Sequence, residues 1–185
     1  AEDGIRDVER SRGLGDVYKR QDVTAQKLIL TVAQGLGLSF AKADVKQAFL
    51  QAPIPETRTV LLRPPPILVS LGLVAHGTVW MAQKALYGLR ESPRYWARFR
   101  DQQLAGVTFK HDGQCYALKQ CLTDTSCWMI LQGKSWKDID NTVNYWHTSV
   151  EEAATQPSKV IGWVITYVDD FLVCAPSDIA QALLD

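Results

Sequence analysis

Two adjacent aspartates, Asp169 and Asp170, stand inside an apolar stretch. Val160-Ile161-Gly162-Trp163-Val164-Ile165-Thr166-Tyr167-Val168 precedes them and Phe171-Leu172-Val173-Cys174 follows. β-Branched and aromatic residues on both sides predict two strands, with the acids where the chain must turn. An ionised carboxylate near an apolar core needs a partner charge or a metal. Two side by side repel until a proton or a cation relieves them. A strand–Asp-Asp–strand hairpin is therefore suited to holding a divalent ion at the end of a sheet. An ordinary turn accounts for the same letters, because Asp is common in turns.

Two further segments carry groups of chemical interest. Asp44-Val45-Lys46-Gln47-Ala48-Phe49-Leu50 places an acid at the end of a predicted strand. Such an acid, taken alone, is usually a cap or turn residue. Lys84-Ala85-Leu86-Tyr87-Gly88-Leu89-Arg90-Glu91-Ser92-Pro93-Arg94 combines a flexible glycine, basic groups and a helix start, an arrangement that suits phosphate or nucleotide binding.

The elements that must position these groups follow from periodicity. Asp22 caps a predicted helix from Val23 to Gln34, with Ala25, Leu28, Ile29 and Val32 as its apolar stripe and Gly35 and Gly37 at its end. Leu38 to Asp44 alternates with period two, as a half-buried strand does. Val45 to Gln51 reads as a tight turn or short helix. Thr59 to Arg63 is a strand candidate stopped by Pro64-Pro65-Pro66, and Thr78 to Ala82 is another. Ser92 at the cap and Pro93 in the first turn start a helix that runs to about Leu104. Residues 106–158 are poorly periodic, with one strand candidate at Ser126–Leu131 and a long loop or insertion around 133–152. Ser177 or Asp178 starts a last helix. Residues 1–21 are charge-dense and aperiodic, resemble translated adapter sequence, and are set aside as a non-native or disordered leader.

Composition narrows the class. The chain has 185 residues, 46% hydrophobic, enough for a core of ordinary size. It has no run of about 18 apolar residues that would span a membrane. Cys115, Cys121, Cys127 and Cys174 form no C-x-x-C pair and read as reduced thiols of an intracellular protein. A zinc cluster of His111 with Cys115, Cys121 and Cys127 fits no common spacing. Lys plus Arg and Asp plus Glu number 20 each, so net charge gives no support for nucleic-acid binding. Locally, Lys84, Arg90, Arg94, Arg98 and Arg100 face Glu91 alone, which fits either a solvated helix face or a phosphate-binding one.

Taken together and in order, DVKQAFL, ALYGLRESPRYW and YVDD resemble three motifs of the reverse transcriptase of copia-type LTR retrotransposons: D-V-K-x-A-F-L, A-L-Y-G-L-K-x-S-P-x-x-W and Y-V-D-D. The likeness covers about residues 23–185 and is weakest over 115–159. It implies an α+β polymerase palm/fingers fragment over 22–185, an antiparallel sheet carrying the acids on one face with helices packed on the other. It implies RNA-directed DNA synthesis on an RNA or DNA template–primer with dNTP, using two Mg²⁺ (or Mn²⁺) ions about 3.5–4 Å apart.

The resemblance also implies roles for residues. Asp44 and Asp169 become the metal carboxylates, Asp170 the auxiliary acid, and the Val45 carbonyl completes the metal shell. Backbone N–H groups after Lys46, at Gln47 and Ala48, meet the triphosphate. Phe49 becomes the steric gate against a 2′-hydroxyl, with a core phenylalanine as the alternative. Gly88 permits close approach of the nucleotide or template. Tyr87, Arg90, Ser92 and Pro93 line the template–nucleotide pocket, and Arg94 and Arg98 contact template phosphates. Tyr167 lies near the primer end, or simply packs in the sheet. The family's upstream fingers strands, later palm strands, thumb and RNase H, protease and integrase modules have no counterpart in these residues. The expectation is a fragment of a polyprotein found in a cytoplasmic virus-like particle or the nucleus, inactive or nearly so by itself. A relic, another metal-dependent phosphotransferase and a plain nucleic-acid-binding module are the rival expectations.

Overall fold

The computed structural model describes residues 23–140, 155 and 157–185. The leader 1–21, the cap at Asp22 and residues 141–152 of the expected insertion lie outside the described residues. In chain order the elements are α1 (Val23–Gly35), β1 (Ser39–Asp44), α2 (Ala48–Gln51), β2 (Leu61–Leu62), α3 (Pro66–Ser70), β3 (Trp80–Met81), α4 (Ser92–Ala105), β4 (Thr108–His111), β5 (Gln114–Gln120), β6 (Cys127–Gly133), α5 (Trp136–Asp140), β7 (Ser158–Tyr167), β8 (Asp170–Ala175) and α6 (Ser177–Leu184). They form two compact units, one drawn from the chain up to Asp44 and from Ala105 onward, the other Val45–Leu104.

The first unit is built on a six-stranded antiparallel sheet in the order β1-β8-β7-β6-β5-β4. Helix α6 touches β1 and β8 and also β4, which stands at the other end of that order, so the sheet is curled. The fold class is α+β with an antiparallel sheet, as the pattern predicts. The middle of the sheet is the core: Trp128, Ile130 and Leu131 of β6, Val164 of β7 and Val173 of β8 are fully buried. On one face Cys115, Ala117, Cys127, Met129, Leu131 and Ile165 form a cluster against which Leu172 and, from α1, Ile29 and Leu30 pack. Full burial of an aliphatic side chain of this size stabilises by about 1.5–3 kcal/mol, and the partial burial of Ile29 and Leu30, worth less than that each, anchors α1.

Several expectations need correction. The packed stripe of α1 runs through Gln26, Ile29, Leu30 and Ala33, while Leu28 and Val32 are exposed. The helix is apolar on more than one side, so spacing alone does not select the inward face. Leu172 lies two residues from Asp170 on β8, hence on the same face. Helix α1 therefore packs on the face that carries this acid, not on the opposite one.

The poorly periodic stretch after Gly106 holds the β4–β5–β6 meander, in which β6 is the strand expected at Ser126–Leu131, and α5 falls inside the loop expected around 133–152. Its missed signal is Asp112-Gly113, whose φ values of 46° and 74° make the two-residue turn that such a pair favours. The four cysteines are buried and free. Burial pushes the Cys121 and Cys174 thiols up to about 11 and the Cys127 thiol up to about 12, so they are protonated and unreactive near neutral pH. They do not assemble with His111, whose neighbours are Asp112 and Asp178.

In the second unit Ala48, Ala52, Ala85, Ser92 and Trp96 are buried. Pro53 bridges Lys84, flanked by bonds from Ala85 N to Ala52 O (2.9 Å) and from Ile54 N to Gln83 O (3.0 Å). The strand candidates shrink to the short pair β2–β3, because Pro64 to Pro66 cuts β2 off and then opens α3. Ser92 is not a helix cap. Its Oγ accepts from Leu86 N (3.1 Å) and donates to Leu86 O (2.6 Å), tying the start of α4 to the loop before it. Among the described residues no helix is long and apolar enough to cross a membrane.

Gly162 of β7 is a point of close backbone approach, since a Cβ there would collide with the Cys174 carbonyl oxygen of β8. Gly162→Ala is expected to lower stability in urea denaturation by about 1–3 kcal/mol. Gly35→Ala, in open space at the end of α1, should be neutral or slightly stabilising. Equal effects at the two positions would contradict this packing.

Candidate functional site

Strand β1 alternates, with Ala41 and Ala43 partly buried and Phe40, Lys42 and Asp44 exposed. Its six-residue register against β8 runs from Ser39 opposite Ala175 to Asp44 opposite Asp170. Opposed residues of an antiparallel pair share a face, with Cα atoms about 4.5–5.5 Å apart. Asp44 and Asp170 are thus cross-strand neighbours, as are Lys42 and Leu172 one step inward. The pairing register, and not sequence proximity, sets two acids at the same sheet end.

Strands β7 and β8 are joined by Val168 and Asp169 alone, with Tyr167 opposite Asp170. Val168 has φ 53°. A two-residue hairpin turn of this kind normally carries glycine at its first position, and a β-branched residue at positive φ is an outlier. Holding it there costs on the order of 1–3 kcal/mol, the kind of strain that concentrates at functional sites.

The hairpin is held from below. Thr166 donates to the Ser126 carbonyl from both its backbone N (2.8 Å) and its Oγ1 (3.0 Å). Asp124 Oδ1 in turn accepts from Ser126 N (2.8 Å) and Ser126 Oγ (2.7 Å). Asp124, Ser126 and Thr166 are all buried. This polar support was not predicted, although an Asp two residues before a Ser is a recognisable turn pattern.

The acids have a counter-ion. Lys42 Nζ lies 2.9 Å from Asp170 Oδ1, with both side chains substantially open to solvent (69% and 42%). Its hydrogen bond to Asp170, then the charges of Asp170, Asp44 and Asp169, hold its pKa above the usual lysine value. The ammonium therefore senses all three acids at once. The pair borders a cleft of about 290 Å³ lined also by Gln26, Leu30, Tyr167 and Leu172. Tyr167 is 59% exposed, so it is not a sheet-packing residue. The three carboxylates are not drawn into a tight trio. Among the described residues, the only set of three ligand side chains within 4.8 Å of one another is His111, Asp112 and Asp178. Lys42 engages one arm of the acid group, Asp170.

The donor set nonetheless fits Mg²⁺ or Mn²⁺. Carboxylate oxygens are the hard ligands these ions prefer, and one or two carboxylates with phosphates and water suffice. The Lys42 ammonium shows that positive charge is drawn to these acids, as at an ordinary surface ion pair. Asp44, Asp169 and Asp170 would hold the ions.

The remaining predicted residues lie in the second unit. Val45, Lys46 and Gln47 turn the chain into α2, with Gln47 at φ 54°. Ala48 is buried. Phe49 is half-buried, and its ring meets that of Tyr87 at 4.9 Å, tilted by 55°. Phe49 is thus not a fully buried core residue. Gly88 has φ 90°, a conformation that favours glycine. Ser92 anchors the loop, Pro93 sits in the first turn of α4, and Arg90, Arg94 and Arg98 are exposed. Arg100 differs: it is buried and paired with Asp101 at 2.8 Å, so it does not join an exposed basic face. Compared with protein-family models, curated proteins and solved structures, the chain matches none.

Removing the support under the hairpin should be measurable. Asp124→Ala leaves buried Ser126 donors without their acceptor, and a loss of about 1–3 kcal/mol in chemical denaturation is expected. An unchanged midpoint would show that Asp124 is not needed there.

Proposed function

We propose that this chain is part of an RNA-directed DNA polymerase resembling those of copia-type retrotransposons, one that adds dNTPs to a primer 3′-hydroxyl on a nucleic-acid template. The observation that carries this reading is the register that sets Asp44 opposite Asp170, with Asp169 in the adjoining two-residue turn. Strain at Val168 and the ammonium of Lys42 among the acids add to it.

Bound divalent ions supply activation of the 3′-hydroxyl and charge neutralisation at the phosphoryl group in such chemistry. The chain's own part is to hold and orient. Asp44 and Asp169 bind the ions, Asp170 adjusts the charge beside them, and Tyr167 offers an exposed ring for a primer terminus. In the second unit, the Phe49–Tyr87 ring pair is suited to meet a nucleotide sugar, with Gly88 leaving room for close approach. Arg94 and Arg98 supply sequence-independent phosphate contacts. Template–primer and dNTP are the ligands, and the partners are the other modules of the same polyprotein, RNase H and integrase among them.

Calorimetric titration with Mn²⁺ tests the site. Wild-type protein should bind, and Asp169→Asn should weaken binding by at least about tenfold, the scale on which lost metal-site groups act. Identical heats would overturn the reading in favour of a relic.

Lys42 competes with a cation for the acids, so Lys42→Gln should tighten Mn²⁺ binding about three- to tenfold at low salt, and less at high salt. Unchanged or weaker binding would show that its ammonium does not occupy the cation's position.

A further inference from the structure

The β4–β5 turn and the first turn of α6 bring a second set of ligand side chains together, and none of them belongs to the acid hairpin. His111 ends β4, Asp112 opens the Asp112-Gly113 turn, and Asp178 stands in the first turn of α6. His111 Nε2 lies 3.6 Å from Asp112 Oδ2 and 3.4 Å from Asp178 Oδ2, and the three ligand atoms fall within 4.8 Å of one another. These N–O separations are longer than the 2.7–3.2 Å typical of hydrogen bonds. These two separations are close to the edge of a coordination tetrahedron, and the third pair of ligand atoms lies within 4.8 Å. Metal–ligand bonds of about 2.0–2.2 Å place neighbouring ligand atoms about 3.3–3.6 Å apart.

We propose that His111, Asp112 and Asp178 form a binding site for a divalent transition-metal ion of the Zn²⁺ class. Three protein ligands converge, and a water would complete a four-coordinate shell. Imidazole selects Zn²⁺ and its neighbours over Mg²⁺, whose preference is for oxygen. Two carboxylates supply the negative charge. The histidine is 30% exposed and the two acids more so, which leaves an open path for the ion. A bound ion would tie the turn of edge strand β4 to the start of α6, two elements far apart in sequence. Cys121, Cys127 and Cys174 do not compete, since burial holds their thiols protonated near neutral pH.

The test is titration of the full chain with Zn²⁺ by calorimetry and with Co²⁺ by visible absorption. Wild type should give the strong d–d absorption of four-coordinate Co²⁺. His111→Ala and Asp178→Asn should each weaken Zn²⁺ binding by more than about tenfold. All three positions are at the surface, and circular dichroism would verify that the variants fold. The four-coordinate Co²⁺ absorption should be lost in His111→Ala, which distinguishes this imidazole-containing site from the all-oxygen acid hairpin. Retention of wild-type Zn²⁺ affinity in His111→Ala would overturn the proposal, as would a Co²⁺ spectrum indistinguishable from that of the aqueous ion.

Discussion

The antiparallel pairing of β1 with β8 is the interaction on which the candidate site depends. Strand β1 lies at the start of the chain and β8 near its end, and only their ladder makes Asp44 a neighbour of Asp170. A slip of one residue would turn Asp44 to the other face. Register is therefore under strong constraint, and strand β1 follows it by alternating partly buried Ala41 and Ala43 with exposed Lys42 and Asp44.

What fixes β8 is the stiffness of the sheet beyond it. Strand β6 is buried along most of its length and β7 along half of its own. Gly162 lets the backbone of β8 come closer than any side chain would permit. Thr166, Ser126 and Asp124 form a buried polar support under the turn. Such a network has value only when each member is satisfied, because an orphaned buried donor is worse than an apolar pair. The same rigidity lets the hairpin hold Val168 in a conformation that a looser turn would relax. Polar support and strain thus act at the turn where charge is gathered, while the close approach at Gly162 holds the opposite end of the β7–β8 pair.

Much of this was legible from the sequence because the signals were local. The helix from Val23, the strand ending at Asp44, the strand pair around the Asp doublet and the helix from Ser92 follow from periodicity and turn chemistry. Asp112-Gly113 was just as legible and was passed over, which hid the β4–β5 hairpin. Other features were not legible in principle. The inward face of α1 depends on which apolar line the sheet receives. The bond between Ser92 and Leu86 replaces a cap that local sequence favours. The meeting of His111 with Asp178 depends on a curled sheet that carries β4 round to α6. These are tertiary facts, and no spacing rule contains them.

If a cation is shared between the end of β1 and the β7–β8 turn, an iron ion placed there will cut both. Fe²⁺ with ascorbate and peroxide generates radicals that cleave backbone only near the bound metal. The expected result is paired cleavage close to Asp44 and close to Asp169–Asp170, lost together in Asp169→Asn and competed away by Mg²⁺. Cleavage at one segment without the other, or cuts that Mg²⁺ does not suppress, would contradict a shared site.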